Sequence, residues 1–202
     1  MKSIEFYVNK FKYIEGIENA DISFIPSLQK RRLSSLDKIT FASMNDCFEN
    51  TIQNIVFSSQ KGEMERLIKL IEQYKTENAV SPAVFSGSVH NFAVSSFLLN
   101  KNFPVTYTAV SAGTDSFIAA LISAIASKYD NNLIVYSDIE NGKYISLCLN
   151  ISSKKKEYAE KFELKQGKQN NEADINDFIN LFQNKIQTLQ TRLFTIERIN
   201  DD

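Results

Sequence analysis

The sequence predicts an α/β domain in which a mixed β-sheet carries helices on both faces. Three observations carry this. Short apolar runs that suit buried strands (residues 54–58, 105–110 and 132–137) alternate with segments whose apolar residues recur every three or four positions. An Asn141-Gly142 hairpin signal joins the last run to a further strand, so at least one antiparallel pair sits beside parallel ones. The composition, 43% hydrophobic and 23% charged over 202 residues, is that of a globular chain large enough for one domain with an appendage.

In chain order, Ile4, Phe6 and Val8 alternate with polar neighbours at the period of a half-buried strand, and a loop of mixed polarity follows through Gly16 and Pro26. Ser34 with Asp37 three residues on forms a capping box, and Leu36, Ile39, Met44 and Cys47 supply the apolar face of a helix over 35–48. Before it lies the basic cluster Lys30, Arg31 and Arg32, read either as a solvated loop or as a grip for phosphate or an acidic partner. After the strand at 54–58, Gly62 opens a helix with Met64, Leu67, Ile68, Ile71 and Tyr74 on one face. Pro82 punctuates the chain. Val89, Phe92, Ala93, Ser96 and Phe97 then form a helical face ahead of the strand Val105, Thr106, Tyr107, Thr108, Ala109 and Val110. Past the Gly113 turn, Phe117, Ile118, Leu121, Ile122 and Ile125 line a buried helix. Strands at 132–137 and 144–151 complete the layered domain over 1–151.

Beyond it, residues 152–173 are rich in Lys, Glu, Gln and Asn and read as a polar linker. Residues 174–202 read as a long amphipathic helix through Ile175, Phe178, Ile179, Phe182, Ile186, Leu189, Leu193 and Ile196, needing its own domain or a partner to dock on.

Several function classes are disfavoured at once. With 23 basic and 24 acidic residues, net charge gives no reason to expect nucleic acid or an anionic membrane as partner. One His and two Cys, Cys47 and Cys148, in no ligand spacing argue against a zinc site and fit buried free thiols. There is no Walker A, GxGxxG or HExxH motif, and no cofactor is expected. The N-terminal residues lack a signal-peptide core and no apolar run is long enough to span a bilayer, so the expected location is the cytoplasm.

The chemistry-bearing candidates cluster in residues 81–126, where helix, strand, tight turn and helix follow in the order that presents a nucleophile in several acyl-transferring folds. His90 is the obvious general base, or a hydrogen-bonded structural histidine. Ser111, Thr114 and Ser116 flank the Gly113 turn and become nucleophiles only beside an activating base. Asp115, next to them, equally complements the dipole of the helix it opens.

The segments RRLSSLDK (31–38), NIVFSSQKGEMERLIKLI (54–71), AVSPAVFSGSVHNFAVSSF (79–97), TAVSAGTDSFIAALISAI (108–125) and LIVYSD (133–138) follow a familiar order. It resembles the ketoacyl-synthase-like N-terminal domain of chain-length-factor-type subunits in aryl polyene and related pigment clusters. The most specific parts are Ser86 to Asn91 and Ser111 to Phe117, and the resemblance spans residues 25–151. It implies half of a thiolase-like fold, a layered sheet between helices, in a family that catalyses decarboxylative Claisen condensation. There a Cys at the turn before a buried helix takes the acyl chain, and two His from a second half support the reaction.

Here the matching turn position is Gly113 when the small residues are aligned, or Thr114 when counting without gaps from Asn91; neither is a thiol. About fifty residues follow Ile151, against the roughly 150 that another layered half needs. Residues 100–104 also depart from the family's loop, with Pro104 displaced. The resemblance therefore implies a non-catalytic subunit paired with an active ketosynthase in aryl polyene, polyketide or fatty-acid-type biosynthesis, with an acyl carrier protein as a further partner. Residues 105–110 are the matching dimer strand, and Phe92, Phe97 and Phe117 are candidate acyl-pocket residues or ordinary core. Two alternatives stay open: an acyltransferase or hydrolase using Thr114 or Ser111 with His90, and a homodimeric binding or scaffolding module.

Overall fold

A computed structural model describes residues 3–167 and 173–200. The chain begins with strand β1 (Ser3–Glu15), which runs on past the predicted alternation of Ile4, Phe6 and Val8. Asn9 is the extra residue of a β-bulge: Val8 pairs with Ile151 and Lys10 with Asn150. Its side-chain amide donates to Asn150 Oδ1 (3.0 Å) and Ser152 Oγ (3.1 Å). The bulge shifts the side-chain phase by one, so Phe6 and Val8 before it and Phe11 and Tyr13 after it all pack on the same core.

A single-turn helix α1 (Ser27–Lys30) leads to α2 (Ser35–Cys47). The predicted capping box opens α2: Asp37 N–H donates to Ser34 Oγ and Ser34 N–H to Asp37 Oδ2, each at 2.9 Å. There follow β2 (Asn54–Ser58), α3 (Met64–Glu77), the short α4 (Pro82–Ser86, with Pro at its start), α5 (Phe92–Lys101) and β3 (Thr106–Val110). Helix α6 (Ser116–Ile125) precedes β4 (Asn131–Glu140) and β5 (Lys143–Ser152). Both central residues of the β4–β5 turn have positive φ, Asn141 at 49° and Gly142 at 77°, the conformation for which an Asn-Gly pair is suited.

The C-terminal part differs from expectation. Within the predicted linker, β6 (Glu160–Gln166) pairs antiparallel with β1. Its Phe162 and Leu164 are buried while Lys and Glu alternate on the other side, so a charge-rich segment is an amphipathic strand. Among the described residues, the predicted helix over 174–202 is helical only in α7 (Ile175–Phe182). Asn184, at φ 60°, turns the chain into the hairpin β7 (Thr188–Gln190) and β8 (Phe194–Ile199). Leu189 and Ile196 are buried there as strand residues, and Leu193 is exposed.

The eight strands of the described residues form one mixed sheet in the order β3-β2-β4-β5-β1-β6-β8-β7. Strands β3, β2 and β4 are parallel and the remaining pairs antiparallel. Alternate strand residues feed two cores. Ile55, Phe57, Leu133, Val135 and Cys148 pack under α2 and α5, whereas Val56, Ile134, Tyr136, Leu147 and Leu149 pack under α6 and α7. Helix α2 approaches β5 closely because the residues between them are small: Ser43 Oγ lies 2.6 Å from Ser146 Oγ, which is 2.8 Å from Ser137 Oγ. Cys47 and Cys148 are free and buried in this layer.

Candidate functional site

The C-terminal ends of β2, β3 and β4 meet in a cluster of loops, the place where sites in parallel α/β sheets lie. The turn between β3 and α6 is one of them. Gly113 adopts φ +60°, which excludes most side chains on conformation alone, since a Cβ there would meet nothing within 4 Å. Ser116, fully buried, ties the turn: its Oγ–H donates to Gly113 O at 2.6 Å and its Oγ accepts from Ala112 N–H at 3.0 Å. That hydroxyl is structural. Ser111, Ala112, Gly113 and Thr114 are exposed, and among the described residues no group hydrogen-bonds the hydroxyl of Ser111 or Thr114.

His90 reaches this turn from the α4–α5 junction. Its Nε2 lies 3.2 Å from Val110 O, so this nitrogen carries the proton, and its ring packs edge-on to Phe57 at 5.4 Å. On its other side is Gly62, φ +57°, where a Cβ would come within 2.9 Å of His90 Nδ1. The loop bearing Gly62 is fastened by Asp138, fully buried at the end of β4. Asp138 Oδ2 accepts from Ser59 Oγ–H and Lys61 N–H, both at 3.0 Å, and Ser59 Oγ accepts from Gly62 N–H at 2.7 Å. His90 is thus placed beside the turn and held by a backbone carbonyl, one residue before Ser111.

The three phenylalanines are not brought together. Phe97 is fully buried beneath α5, edge-on to Phe41 (5.5 Å) and Phe48 (5.6 Å). Phe117 is buried on the opposite face of the sheet against Phe178 (4.7 Å). Phe92 is half-buried and lines a groove of about 840 Å³ with Leu28, Arg31, Arg32, Val84 and Arg66. One common pocket floor is therefore not formed by these side chains.

The predicted dimer strand lies at the sheet's edge: among the described residues β3 pairs only with β2, and Thr106 through Val110 range from partly buried to exposed. Val105 precedes the strand and packs partly buried on the α5 core.

Sequence reasoning missed a polar clasp next to the groove. Asp37, fully buried, accepts from Arg66 Nη2 at 2.8 Å. Arg66 also donates to Arg32 O (2.9 Å) and to Gly87 O, and its guanidinium lies 5.1 Å from the Phe92 ring centre. Glu63, 3.6 Å from Arg66 Nε, accepts the Ser34 hydroxyl at 2.7 Å. Burial and the charge of Asp37 push the Glu63 carboxyl up to about 7, and burial pushes Asp37 up as well. Asp37 Oδ1 is buried without a donor, and Glu63 and Asp37 share one guanidinium, so a proton on Glu63 relieves the repulsion between the two carboxyls. The capping box already marked Ser34 and Asp37; nothing local marked Glu63 and Arg66.

Among the described residues, no group of three or more His, Cys, Asp or Glu side chains could hold a metal ion, and no helix is long and apolar enough to cross a membrane.

The family profile described as "Beta-ketoacyl synthase, N-terminal domain" matches residues 8–176. The chain belongs to this family. Among solved structures, the ketosynthase (ApeO) in complex with its chain length factor (ApeC) from Xenorhabdus doucetiae is similar to this ketosynthase-family chain with a TM-score of 0.70 and 19% identity. The likeness covers 86% of this chain and 82% of that one. The ishigamide ketosynthase/chain length factor is similar with a TM-score of 0.56 and 10% identity, over 73% of this chain and 62% of that one. These likenesses establish the thiolase-like ketosynthase fold. No curated protein matches the chain.

Proposed function

We propose that this chain is a non-catalytic ketosynthase-like subunit of chain-length-factor type. It pairs with an active ketosynthase in aryl polyene, polyketide or fatty-acid-type biosynthesis in the cytoplasm, where an acyl carrier protein delivers the chain. The observation that carries the reading is the β3–α6 turn. It keeps the frame that presents the family's acyl-accepting Cys, with Gly113 and Thr114 in its place and His90 bonded to a backbone carbonyl. The similar solved structures support the partner, being a ketosynthase with its chain length factor in both cases. The free edge of β3 supports the mode of pairing, because an unpaired row of backbone groups is a template for another strand. In this reading Phe92, at the groove, is the one of the three phenylalanines placed to meet an acyl chain.

Co-expression with the ketosynthase encoded nearest its gene tests the reading. A stable complex of the two on size-exclusion chromatography with light scattering is expected, and a chain that stays monomeric beside every ketosynthase tried overturns it. Incubation with an acyl-carrier-protein thioester is expected to leave the chain unmodified. An acyl adduct on Thr114 or Ser111, detected by intact-mass spectrometry, would replace this reading with an acyltransferase or hydrolase using His90 as base.

A further inference from the structure

Helix α3 is fastened to the domain by the wrong face. Its sequence carries a continuous apolar stripe, Leu67, Ile68, Ile71 and Tyr74 together with Met64, that a soluble helix ordinarily buries. Here these residues are 43–57% exposed, and Leu70 is the only buried residue of the fourteen. The helix is held instead by polar contacts at its first turns: Arg66 to Asp37, Arg32 O and Gly87 O, and Glu65 Oε1 accepting the Tyr144 hydroxyl at 2.7 Å. The stripe is thus preformed and left free. Val84 and Phe85 of α4, which packs on α3, are exposed too. The start of α3 adjoins the end of β3 through His90: a Cβ on Gly62, two residues before Met64, would come within 2.9 Å of His90 Nδ1, and His90 Nε2 lies 3.2 Å from Val110 O.

The charges on α3 narrow the occupant. Glu65, Glu72 and Glu77 alternate with Arg66, Lys69 and Lys75, so the helix lacks the basic polar face with which amphipathic helices bind anionic membranes. It also lacks a one-signed field that would recruit a charged partner. Area points the same way. A stable pair buries roughly 800 Å² on each partner, which a five-residue strand edge such as β3 does not supply by itself. The apolar face of α3, whose first turn adjoins the end of that strand through His90, offers the remainder.

Resting on the reading that the chain pairs with a ketosynthase at β3, we infer that the α3–α4 apolar face is the second part of that interface and seats the ketosynthase subunit. The binding energy is then concentrated in Leu67, Ile68, Ile71 and Tyr74, at the centre of the patch.

The test uses the full chain and the ketosynthase encoded nearest its gene, with affinity measured by isothermal titration calorimetry. The double variant Leu67→Glu/Ile71→Glu removes two exposed side chains and should keep the wild-type circular dichroism spectrum and melting temperature. It should bind about a hundredfold more weakly. The milder pair Ile68→Ala/Tyr74→Ala should weaken binding about tenfold, and covers the case in which the glutamates unfold α3. Lys69→Glu/Gln73→Glu, on the side of the helix away from the stripe, should bind as wild type. Hydrogen exchange in residues 64–77 should slow on complex formation. Wild-type affinity in both stripe variants overturns this inference and leaves pairing through β3 standing. A wild-type chain that binds no ketosynthase, or that instead forms a homodimer broken by the stripe variants, overturns both.

Discussion

Glu63 and Asp37 are two carboxyl groups under a single guanidinium, and one positive charge cannot neutralise two buried negative ones. The arrangement is balanced when Glu63 holds a proton and unbalanced when it does not. The sign of the pH dependence follows. Glu63 in the folded chain titrates at about 7 against an ordinary 4.5, so between those values the folded state binds more protons than the unfolded one. Its contribution to stability is fully present below pH 4.5 and is lost as pH rises through 7. Urea denaturation should therefore give a lower midpoint at pH 8.5 than at pH 5.5, and Glu63→Gln should abolish most of that difference. A glutamine still accepts the Ser34 hydroxyl and carries no charge, so an unchanged pH dependence in this variant would show that Glu63 is not the titrating group. Arg66→Met should be the most damaging change in the clasp. It leaves Asp37 buried without a counter-charge and should cost about 3–5 kcal/mol, read from the shift in denaturation midpoint.

At the scale of elements, the C-terminal segment acts as a cover. Helix α7 lies against α6 in the same core. Phe178 and Phe182 pack on Phe117 at 4.7 and 6.2 Å, while β6 extends the sheet beyond β1. Phe178→Ala empties the centre of this contact and should destabilise the chain by about 3–4 kcal/mol, with the loss visible as a lower melting temperature. This cover was only partly legible in the sequence. The start of α7 was readable, because Asp174 caps it in a box with Asp177. Its end was not, since Leu189 and Ile196 fall at helical spacing from Phe182 by coincidence and Asn184 gives no strong stop signal.

Strand β6 was hidden for the opposite reason. Its Lys and Glu side chains occupy the solvent face of a strand, and density of charge over a short window looks like disorder. Elements stated by local chemistry, such as the Ser34 capping box and the Asn141-Gly142 turn, came through intact. The candidate site divides along the same line. The Gly113 turn and His90 lie in one readable stretch, whereas the clasp joins Ser34 and Asp37 to Glu63 and Arg66 across 29 residues of sequence. No periodicity reports such a contact. Helix α3 was readable as a helix, but which of its faces would meet the domain was set by Arg66 and not by the stripe.

For the molecule as a whole, one edge of the sheet is finished by a hairpin and the other by a bare strand. β3 is five residues long, partly exposed and, among the described residues, paired on one side only, so the backbone groups of its far side are open to another strand. Which groups those are can be worked out. Ser59 N–H donates to Val110 O, so Val110, and by strand alternation Thr108 and Thr106, direct their backbone groups toward β2. The amides of Tyr107 and Ala109 then point outward. Ala109→Pro removes one outward N–H while leaving the β2 ladder whole, and proline is tolerated on an edge strand in that orientation. Thr108→Pro removes an inward N–H and should weaken the fold itself. If β3 is the pairing edge, Ala109→Pro should retain the wild-type melting temperature within a few degrees yet lose at least tenfold in affinity for the ketosynthase. Thr108→Pro should lower the melting temperature of the free chain. Equal affinity in Ala109→Pro and wild type, measured on folded protein, would place the contact elsewhere on the surface and remove the edge strand from the account of pairing.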